Sequence, residues 1–105
     1  MSIPGAMTPS ECVSAVEYGA DFVKIFPASN LGVDYLKAIK SPLSHIRFIP
    51  TGGITPENIP LFMSVGASAF GIGSNLINNK IVANGEFNLL RKNAQTFVNA
   101  VNEAE

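Results

Sequence analysis

Two hydrophobic patterns alternate along the chain. Short apolar runs, which predict strands, are separated by stretches in which apolar residues recur every three or four positions, which predicts helices. The predicted strands are 21–27, 46–50 and 67–72, and the predicted helices are 8–18, 33–40, 55–65 and 86–102. Residues 1–7 resemble the end of a further strand. Strands that alternate with helices through short links predict an α/β fold with a parallel sheet and right-handed crossovers.

Local signals mark where two of the helices begin. Thr8 can cap a helix whose first residue is Pro9, and Glu11 completes a capping box. The pair Thr55-Pro56 predicts a second start of the same kind. Pro60 falls inside that helix, so some local distortion is expected there. The last helix is expected to bury an apolar stripe formed by Phe87, Leu90, Ala94, Phe97, Val98 and Val101.

The chain contains an internal repeat with an offset of 47 residues (55 − 8 = 47). At this offset Thr8-Pro9 matches Thr55-Pro56, Gly19-Ala20 matches Gly66-Ala67, Gly5 matches Gly52 and Ile25 matches Ile72. Each repeat holds two strand–helix units, which indicates a duplicated βαβα block. Three or four strands cannot close a barrel, and a complete (βα)8 barrel needs about 250 residues. We therefore expect residues 1–105 to be a single partial (βα)8 domain, completed by more chain or by another molecule.

Composition excludes several classes of function. Seven basic and eight acidic residues give a net charge of −1 without a charge run, so neither a nucleic-acid surface nor a polybasic membrane patch is expected. No apolar stretch approaches the roughly 18 residues of a membrane span, and no signal peptide is visible. Cys12 is the only cysteine, which excludes an internal disulfide and metal-type spacing. The expected location is the cytoplasm, without a metal or cofactor.

A lysine lies in the middle of the most apolar strand. Lys24 is flanked by Phe22 and Phe26 at positions i−2 and i+2, and the run is typical of a strand buried on both faces. Burial between two rings favours the neutral amine, which is a nucleophile for carbonyl carbon. The alternative is that the lysine head reaches water at a sheet edge and only its methylene groups are buried.

Two glycine turns follow consecutive strands. Gly52-Gly53 comes directly after one strand, and Gly73-Ser74 comes directly after the next. Glycine lets backbone N–H groups approach an anion closely, and turns in these positions form the usual phosphate site of (βα)8 enzymes. We therefore predict a phosphate site, although glycines that serve only tight turns would give the same sequence. The spacing does not fit a dinucleotide fingerprint.

These motifs together resemble one enzyme family. Lys24-Ile25-Phe26-Pro27-Ala28, Pro50-Thr51-Gly52-Gly53-Ile54, Gly73-Ser74 and the opening Pro4–Glu11 are similar to the carboxyl-terminal half of the 2-keto-3-deoxy-6-phosphogluconate and 4-hydroxy-2-oxoglutarate aldolases. The resemblance covers nearly the whole chain. It implies a class I aldolase with a (βα)8 TIM barrel, usually homotrimeric and free of metal. Its substrate would be a small phosphorylated keto-sugar acid, cleaved to pyruvate and glyceraldehyde 3-phosphate.

The resemblance also implies a role for each matched residue. Lys24 would form the imine, and Phe26 would lie beside the bound pyruvyl group. Thr51 would bond the substrate carboxylate, and Pro50 would shape its loop. The implied phosphate-binding residues are Gly52, Gly53, Gly73 and Ser74. Some motifs are more similar to family members specific for the galactonate substrate and others to members specific for the gluconate substrate. The sugar epimer therefore stays open.

One part of the family pattern has no match in this sequence. The family's general base is a glutamate on an early strand, and Glu11, Glu17 and Glu57 lie on helix starts or exposed faces instead. The chain alone is therefore expected to be nearly or wholly inactive. Two alternatives remain: a phosphate-binding barrel of the thiamine-phosphate-synthase kind, and an inactive half-barrel that associates through its sheet edge.

Overall fold

A parallel sheet with helices packed against it forms the centre of the computed structural model, which describes residues 1–105. The strands are β1 (Gly5–Ala6), β2 (Val23–Ile25) and β3 (Phe48–Pro50). The helices are α1 (Pro9–Glu17), α2 (Ala28–Leu31), α3 (Val33–Lys40), α4 (Ile59–Ser64), α5 (Asn79–Ala83) and α6 (Phe87–Ala104). The strands lie in the order β1-β2-β3, and both pairs are parallel. The predicted α/β class and parallel sheet are confirmed.

Residues 67–72, here called the edge segment, lie beside β3 without forming a regular strand. Ser68 N donates to Phe48 O at 2.9 Å, and Gly71 N donates to Pro50 O at 3.0 Å. Only Thr51 and Gly71 form a β-bridge. The strand predicted over 67–72 is therefore present in its position and direction but not as a continuous ladder, because no strand pairs with its outer side.

The two threonines of the internal repeat make the same reciprocal contacts. Thr8 Oγ1 accepts from Glu11 N at 3.2 Å while Glu11 Oε1 accepts from Thr8 N at 3.1 Å. Thr55 Oγ1 accepts from Asn58 N at 3.2 Å while Asn58 Oδ1 accepts from Thr55 N at 2.9 Å. Asn58 is the repeat equivalent of Glu11, since 58 − 47 = 11. The duplication predicted from sequence is therefore visible in local structure.

No helix begins directly after the second capping threonine, Thr55. The prediction of a helix from Thr55 is wrong, because α4 begins only at Ile59. Pro60 lacks the N–H that would bond the carbonyl of Pro56, and its ring would clash with that carbonyl. Proline is tolerated in the first turn, so the helix starts just before Pro60.

Two short helices lie in segments that were predicted as loops. Helix α2 has four residues and α5 has five. Neither is long enough to show a helical repeat of apolar residues, which is why the pattern did not reveal them. The side chain of Asn78 caps α5 by accepting from Ile81 N at 2.9 Å.

One face of the sheet forms the core with the helices. Fourteen buried residues make one cluster: Ala6, Cys12, Val23, Ile25, Ala28, Leu36, Ile39, Ile46, Phe48, Ile54, Ile59, Phe62, Phe97 and Ala100. The prediction that β2 is buried on both faces is wrong. Val23 and Ile25 are buried, but Lys24 between them is half-buried. The helices cover only the Val23 side, and nothing in the chain covers the other.

The last helix buries most of the predicted stripe, since Leu90, Ala94 and Val101 are half-buried, but two of its members are exposed. Phe97 is buried as predicted, but Phe87 is 64% exposed and Val98 is 51% exposed. Ala100, which was not predicted, is buried as well. None of the helices combines the length and the apolar character needed to cross a lipid bilayer.

Lys40 is a structural lysine at the end of the sheet opposite the glycine turns. Its Nζ donates to Ser44 O at 3.0 Å and to Ile46 O at 2.5 Å, and it lies 5.4 Å from the centroid of the Phe48 ring. Burial lowers the pKa of Lys40 below its ordinary value. The side chain therefore ties α3 to the loop that leads into β3. The sequence alone indicated only that it ends a helix.

Cys12 is expected to make stability fall at high pH. Burial, and then the charge of Glu11, raises the pKa of its thiol from 9.0 to about 11. The unfolded chain therefore loses the proton first as pH rises through this window. The free energy of unfolding should fall by up to roughly 3 kcal/mol across it.

Urea unfolding of the wild type and of Cys12→Ala, below pH 9 and near pH 11, measures this effect. The stability gap between the two proteins should shrink as pH rises, because only the wild type carries the thiol. Lys40 titrates in both proteins, so its contribution cancels. A gap that stays constant with pH would show that the thiol does not control the slope.

Candidate functional site

Two clefts open where the parallel strands end, and Phe26 lines both. The lysine cleft, of about 390 Å³, is lined by Ile3, Gly5, Ala6, Met7, Glu11, Lys24 and Phe26. The glycine cleft, of about 150 Å³, is lined by Phe26, Thr51, Gly52, Gly53, Ile54, Gly71, Gly73, Ser74 and Asn75. All predicted site residues except Pro50 therefore line one or both clefts. Pro50 is fully buried at the end of β3.

Lys24 lies on the open face of the sheet. It pairs with Gly5 on one side and with Ile49 on the other. Its Nζ is 5.3 Å from the centroid of the Phe26 ring. The cation over the predicted second ring, Phe22, is the Arg47 guanidinium, 4.6 Å from the ring centroid. Phe26 is 51% exposed. The dry setting predicted for the amine is therefore absent from this chain alone.

The Phe26 ring separates the lysine amine from the first glycine turn. A Cβ at Gly52 would lie 3.0 Å from Phe26 Cε2, and Gly52 has a φ of +97°. A side chain at this position would strain the backbone and collide with the ring. Glycine thus allows the ring to pack directly on the turn. The same ring faces the lysine amine and borders the glycine cleft.

Backbone hydrogen bonds hold the first glycine turn against the loop that follows β2. Ala28 N donates to Thr51 O at 2.8 Å, and Ser29 N donates to Gly52 O at 3.1 Å. A Cβ at Gly53 would lie 2.1 Å from Ser29 Oγ, at a φ of +71°. The turn and the segment after Lys24 are therefore one packed unit.

The Thr51 side chain fills the space that a side chain at Gly71 would need. Thr51 Oγ1 donates to Ile49 O at 3.3 Å, and it would lie 2.3 Å from a Cβ at Gly71. Gly71 is the repeat equivalent of Lys24, since 71 − 47 = 24. The second repeat therefore has no side chain at the position where the first carries the lysine, and Thr51 lies there instead.

Gly71→Ala is expected to destabilise the protein while Gly73→Ala does not. The new Cβ at 71 would also meet Thr51 Cγ2 at 2.9 Å, whereas a Cβ at Gly73 meets nothing within 4 Å. Overpacking of this kind costs about 1–3 kcal/mol. Urea unfolding of both variants measures the difference. Equal stability of the two would show that Thr51 moves aside without cost.

Two asparagines hold the carbonyls of the first glycine turn, and sequence analysis missed both. Asn58 Nδ2 donates to Gly53 O at 2.9 Å, and Asn75 Nδ2 donates to Ile54 O at 2.8 Å. Asn75 also links the two glycine turns, because it directly follows Ser74. The repeat offered a signal for Asn58, which stands where Glu11 caps the first helix.

Glu11, which the capping-box pattern predicted as part of the α1 cap, also lines the lysine cleft. Its Oε1 accepts from Thr8 N at 3.1 Å and from Thr8 Oγ1 at 2.9 Å, so this oxygen serves the helix cap. Glu17 and Glu57 are exposed and line neither of the two clefts. No three His, Cys, Asp or Glu side chains come together as a group that could hold a metal ion.

Sequence comparison finds aldolases. The family model for KDPG and KHG aldolase matches residues 1–92. The chain is 38% identical to the 2-dehydro-3-deoxy-6-phosphogalactonate aldolase of Escherichia coli (strain K12), over 96% of this chain and 48% of that protein. It is 37% identical to the KHG/KDPG aldolase of the same strain, over 91% of this chain and 46% of that protein.

Structural comparison agrees. The solved structure "Native KDPGal structure" superposes with a TM-score of 0.90 at 37% identity, over 99% of this chain and 50% of that one. A thiamine phosphate pyrophosphorylase from Pyrococcus furiosus superposes with a TM-score of 0.74 at 19% identity, which shows a shared fold alone.

The chain spans about half the length of the relatives it matches. The family model nevertheless covers most of its residues, and the relatives match nearly all of them. The resemblance seen in the sequence motifs is therefore confirmed, and the chain belongs to the KDPG and KHG aldolase family.

Proposed function

We propose that this chain provides the Schiff-base lysine and the phosphate site of a class I aldolase that acts on phosphorylated 2-keto-3-deoxy sugar acids. In this proposal the chain is the carboxyl-terminal half of a (βα)8 barrel. The observation that carries it is the position of Phe26, whose ring lies 5.3 Å from Lys24 Nζ and also lines the glycine cleft. One substrate could then contact the amine at one end and the glycine turns at the other.

Lys24 would act through its neutral amine. The nitrogen attacks the 2-keto carbon of the substrate, and loss of water leaves a protonated imine. The C3–C4 bond then breaks as a base from outside this chain takes the proton of the C4 hydroxyl, which releases the aldehyde. The electron pair of the broken bond forms the C2=C3 bond of an enamine, and the electrons of the C=N bond move to nitrogen. Protonation of the resulting enamine at C3 and hydrolysis release pyruvate and restore the amine. Phe26 would border the flat imine and keep water from its face.

The glycine cleft would hold the phosphate. The backbone N–H groups of Gly53, Ile54, Gly73 and Ser74 donate no hydrogen bond within the chain. Free N–H groups at the wall of a cleft suit an anion that has several acceptor oxygens. The Ser74 hydroxyl adds a donor at the same wall. This site needs no cation, because backbone dipoles supply the positive potential.

Proton transfer is the part for which this chain offers no residue. Glu11 lines the lysine cleft, but its carboxylate already caps α1. We therefore expect imine formation to survive in this chain and aldol cleavage to need a complete barrel. The resemblance further predicts that complete barrels form homotrimers, and it leaves the sugar epimer open.

Borohydride reduction in the presence of pyruvate tests the proposal. Trapping should add one reduced pyruvyl group to the chain, and peptide mapping should place it on Lys24. A control without pyruvate accounts for direct reduction. Absence of an adduct at any pyruvate concentration, in a protein that is folded by circular dichroism, would overturn the imine chemistry.

A phosphate-binding protein without imine chemistry is the second candidate. The free N–H groups of the glycine cleft do not depend on Lys24, so phosphate could bind there whatever the lysine does. The two candidates give different results in one pair of measurements. Phosphate binding by calorimetry together with a Lys24 adduct supports the aldolase, and phosphate binding without an adduct supports the second candidate.

A further inference from the structure

We propose that Asn75 is a positioning residue of the phosphate site, and that it holds the second glycine turn against the first so that one anion reaches the N–H groups of both. The first glycine turn is Gly52-Gly53, and the second is Gly73-Ser74. The inference deepens the proposed function. It rests on the phosphate site described there and not on the chemistry of Lys24.

The second glycine turn belongs to residues 72–77, here called the turn segment, whose backbone makes no hydrogen bond to the rest of the chain. The last backbone bond before it is the one from Gly71 N to Pro50 O. Inside the turn segment, Leu76 N and Ile77 N both donate to Gly73 O at 2.9 Å. These two bonds give the turn segment its local shape, but they do not set its direction relative to the first glycine turn.

One side chain supplies the missing link. Asn75 Nδ2 donates to Ile54 O at 2.8 Å, and no other hydrogen bond joins the turn segment to the rest of the chain. Ile72 and Leu76 pack against the core, which keeps the segment close to it. Apolar packing is not directional, whereas a hydrogen bond depends on angle as well as distance. The amide of Asn75 therefore sets how the turn segment faces the first glycine turn.

The two ends of this bond lie next to the groups that are proposed to bind phosphate. Asn75 directly follows Ser74, and Ile54 directly follows Gly53. The N–H groups of Gly73 and Ser74 on one side, and of Gly53 and Ile54 on the other, donate no hydrogen bond within the chain. All five residues line the same cleft of about 150 Å³. The bond thus joins the two sets of free donors across one cavity.

The first glycine turn does not depend on Asn75. Gly52 O accepts from Ser29 N at 3.1 Å, and Gly53 O accepts from Asn58 Nδ2 at 2.9 Å. Both donors lie outside the turn segment. Removing the amide at position 75 should therefore release the second glycine turn and leave the first in place.

Release of the second turn should weaken anion binding. Several N–H donors bind one anion well when they already face it, because ordering a mobile segment on binding opposes affinity. We expect Asn75→Ala to weaken the binding of inorganic phosphate about 10-fold, the scale of one neutral hydrogen bond together with the ordering of a turn. Calorimetric titration at low salt measures the effect.

Two further variants separate the amide bond from a general change in the loop. Asn75→Gln keeps the amide donor on a longer stem, and position 75 is exposed, so binding should stay within about 3-fold of the wild type. Asn78→Ala is the matched control. Asn78 Oδ1 accepts from Ile81 N at 2.9 Å to cap α5, and Asn78 does not line the glycine cleft. This variant removes a similar bond nearby and should bind phosphate as the wild type does.

Amide NMR resonances report the position of each turn directly. When phosphate is added to the wild type, the amide signals of Gly53, Ile54, Gly73 and Ser74 should shift along one saturation curve. In Asn75→Ala, the signals of Gly53 and Ile54 should still respond, at higher phosphate concentration, whereas those of Gly73 and Ser74 should respond much less. A protein that is merely less stable would show the same change at all four amides.

The outcomes separate this inference from the phosphate site itself. Wild-type binding in Asn75→Ala, equal weakening by Asn78→Ala, no recovery in Asn75→Gln, or an equal response of all four amides in Asn75→Ala would overturn the role of Asn75 and leave the phosphate site standing. A wild type that does not bind phosphate would overturn the phosphate site of the proposed function, and this inference with it.

Discussion

Replacing Lys24 with arginine is expected to abolish the trapping of pyruvate by borohydride. Arginine keeps a positive charge near the Phe26 ring, so the packing of the cleft should change little. The guanidinium stays protonated and cannot attack a carbonyl carbon. In a complete barrel, cleavage should also fall by on the order of 10⁴-fold or more, the scale for loss of a catalytic nucleophile. Mass spectrometry of the reduced protein measures the first effect directly.

Two other lysines serve as controls. They show whether the reactive amine is determined by its position in the cleft or by a lowered pKa. Lys37→Arg changes an exposed lysine on α3 and should leave trapping unchanged. Lys40 has the lowered pKa, but its Nζ donates to two carbonyls at the opposite end of the sheet. An adduct that maps to Lys40, or one that survives in Lys24→Arg, would contradict the assignment of Lys24.

Replacing Ser74 with aspartate is expected to weaken phosphate binding by at least about 100-fold. Ser74 is exposed and lines the glycine cleft, so the carboxylate would lie beside the bound anion. Placing like charges together in this way costs several kcal/mol. Ser74→Ala removes one hydroxyl donor and should cost only about 1 kcal/mol, because the backbone N–H groups remain.

Ser14→Asp is the matched control for this charge. Ser14 is exposed on α1 and lines neither cleft, so the variant adds the same charge elsewhere. Calorimetric titration with inorganic phosphate at low salt compares the three variants with the wild type. If Ser14→Asp weakens binding as much as Ser74→Asp, the effect comes from net charge, and phosphate does not bind in the glycine cleft.

Much of the fold follows from local signals in the sequence. The capping box at Thr8, the apolar run around Lys24 and the start of the Val33 helix each depend on residues close together in the chain. The structure accordingly has α1, β2 and α3 where the pattern predicted them. The alternation of strand-type and helix-type hydrophobic patterns was then enough to predict a parallel sheet.

The errors arise where distant parts of the chain decide the outcome. Whether Lys24 is buried depends on what covers the second face of the sheet, and β2 cannot encode that. Two local signals disagree about where the helix after Thr55 begins. The cap at Thr55 favours a start there, whereas Pro60 favours a later one, and local sequence does not show which effect dominates.

The sequence pointed to most of the residues that line the two clefts, but not to the side chains that support them. Glycine turns have a recognisable composition, so Gly52, Gly53 and Gly73 stood out at once. The amide contacts of Asn58 and Asn75 depend on how two turns meet in space, and no spacing rule describes that meeting. The packing of Ser29 against Gly53 belongs to the same class of tertiary contact.

The glycine at position 71 limits the stoichiometry of any adduct. Exact duplication of the first block would have placed a second amine there, on the neighbouring edge of the sheet. Because Gly71 is instead packed against Thr51, one chain can hold one pyruvyl group at a strand lysine, never two. Under the proposed function the duplicated halves have unequal tasks, covalent attachment in the first and most of the anion cradle in the second.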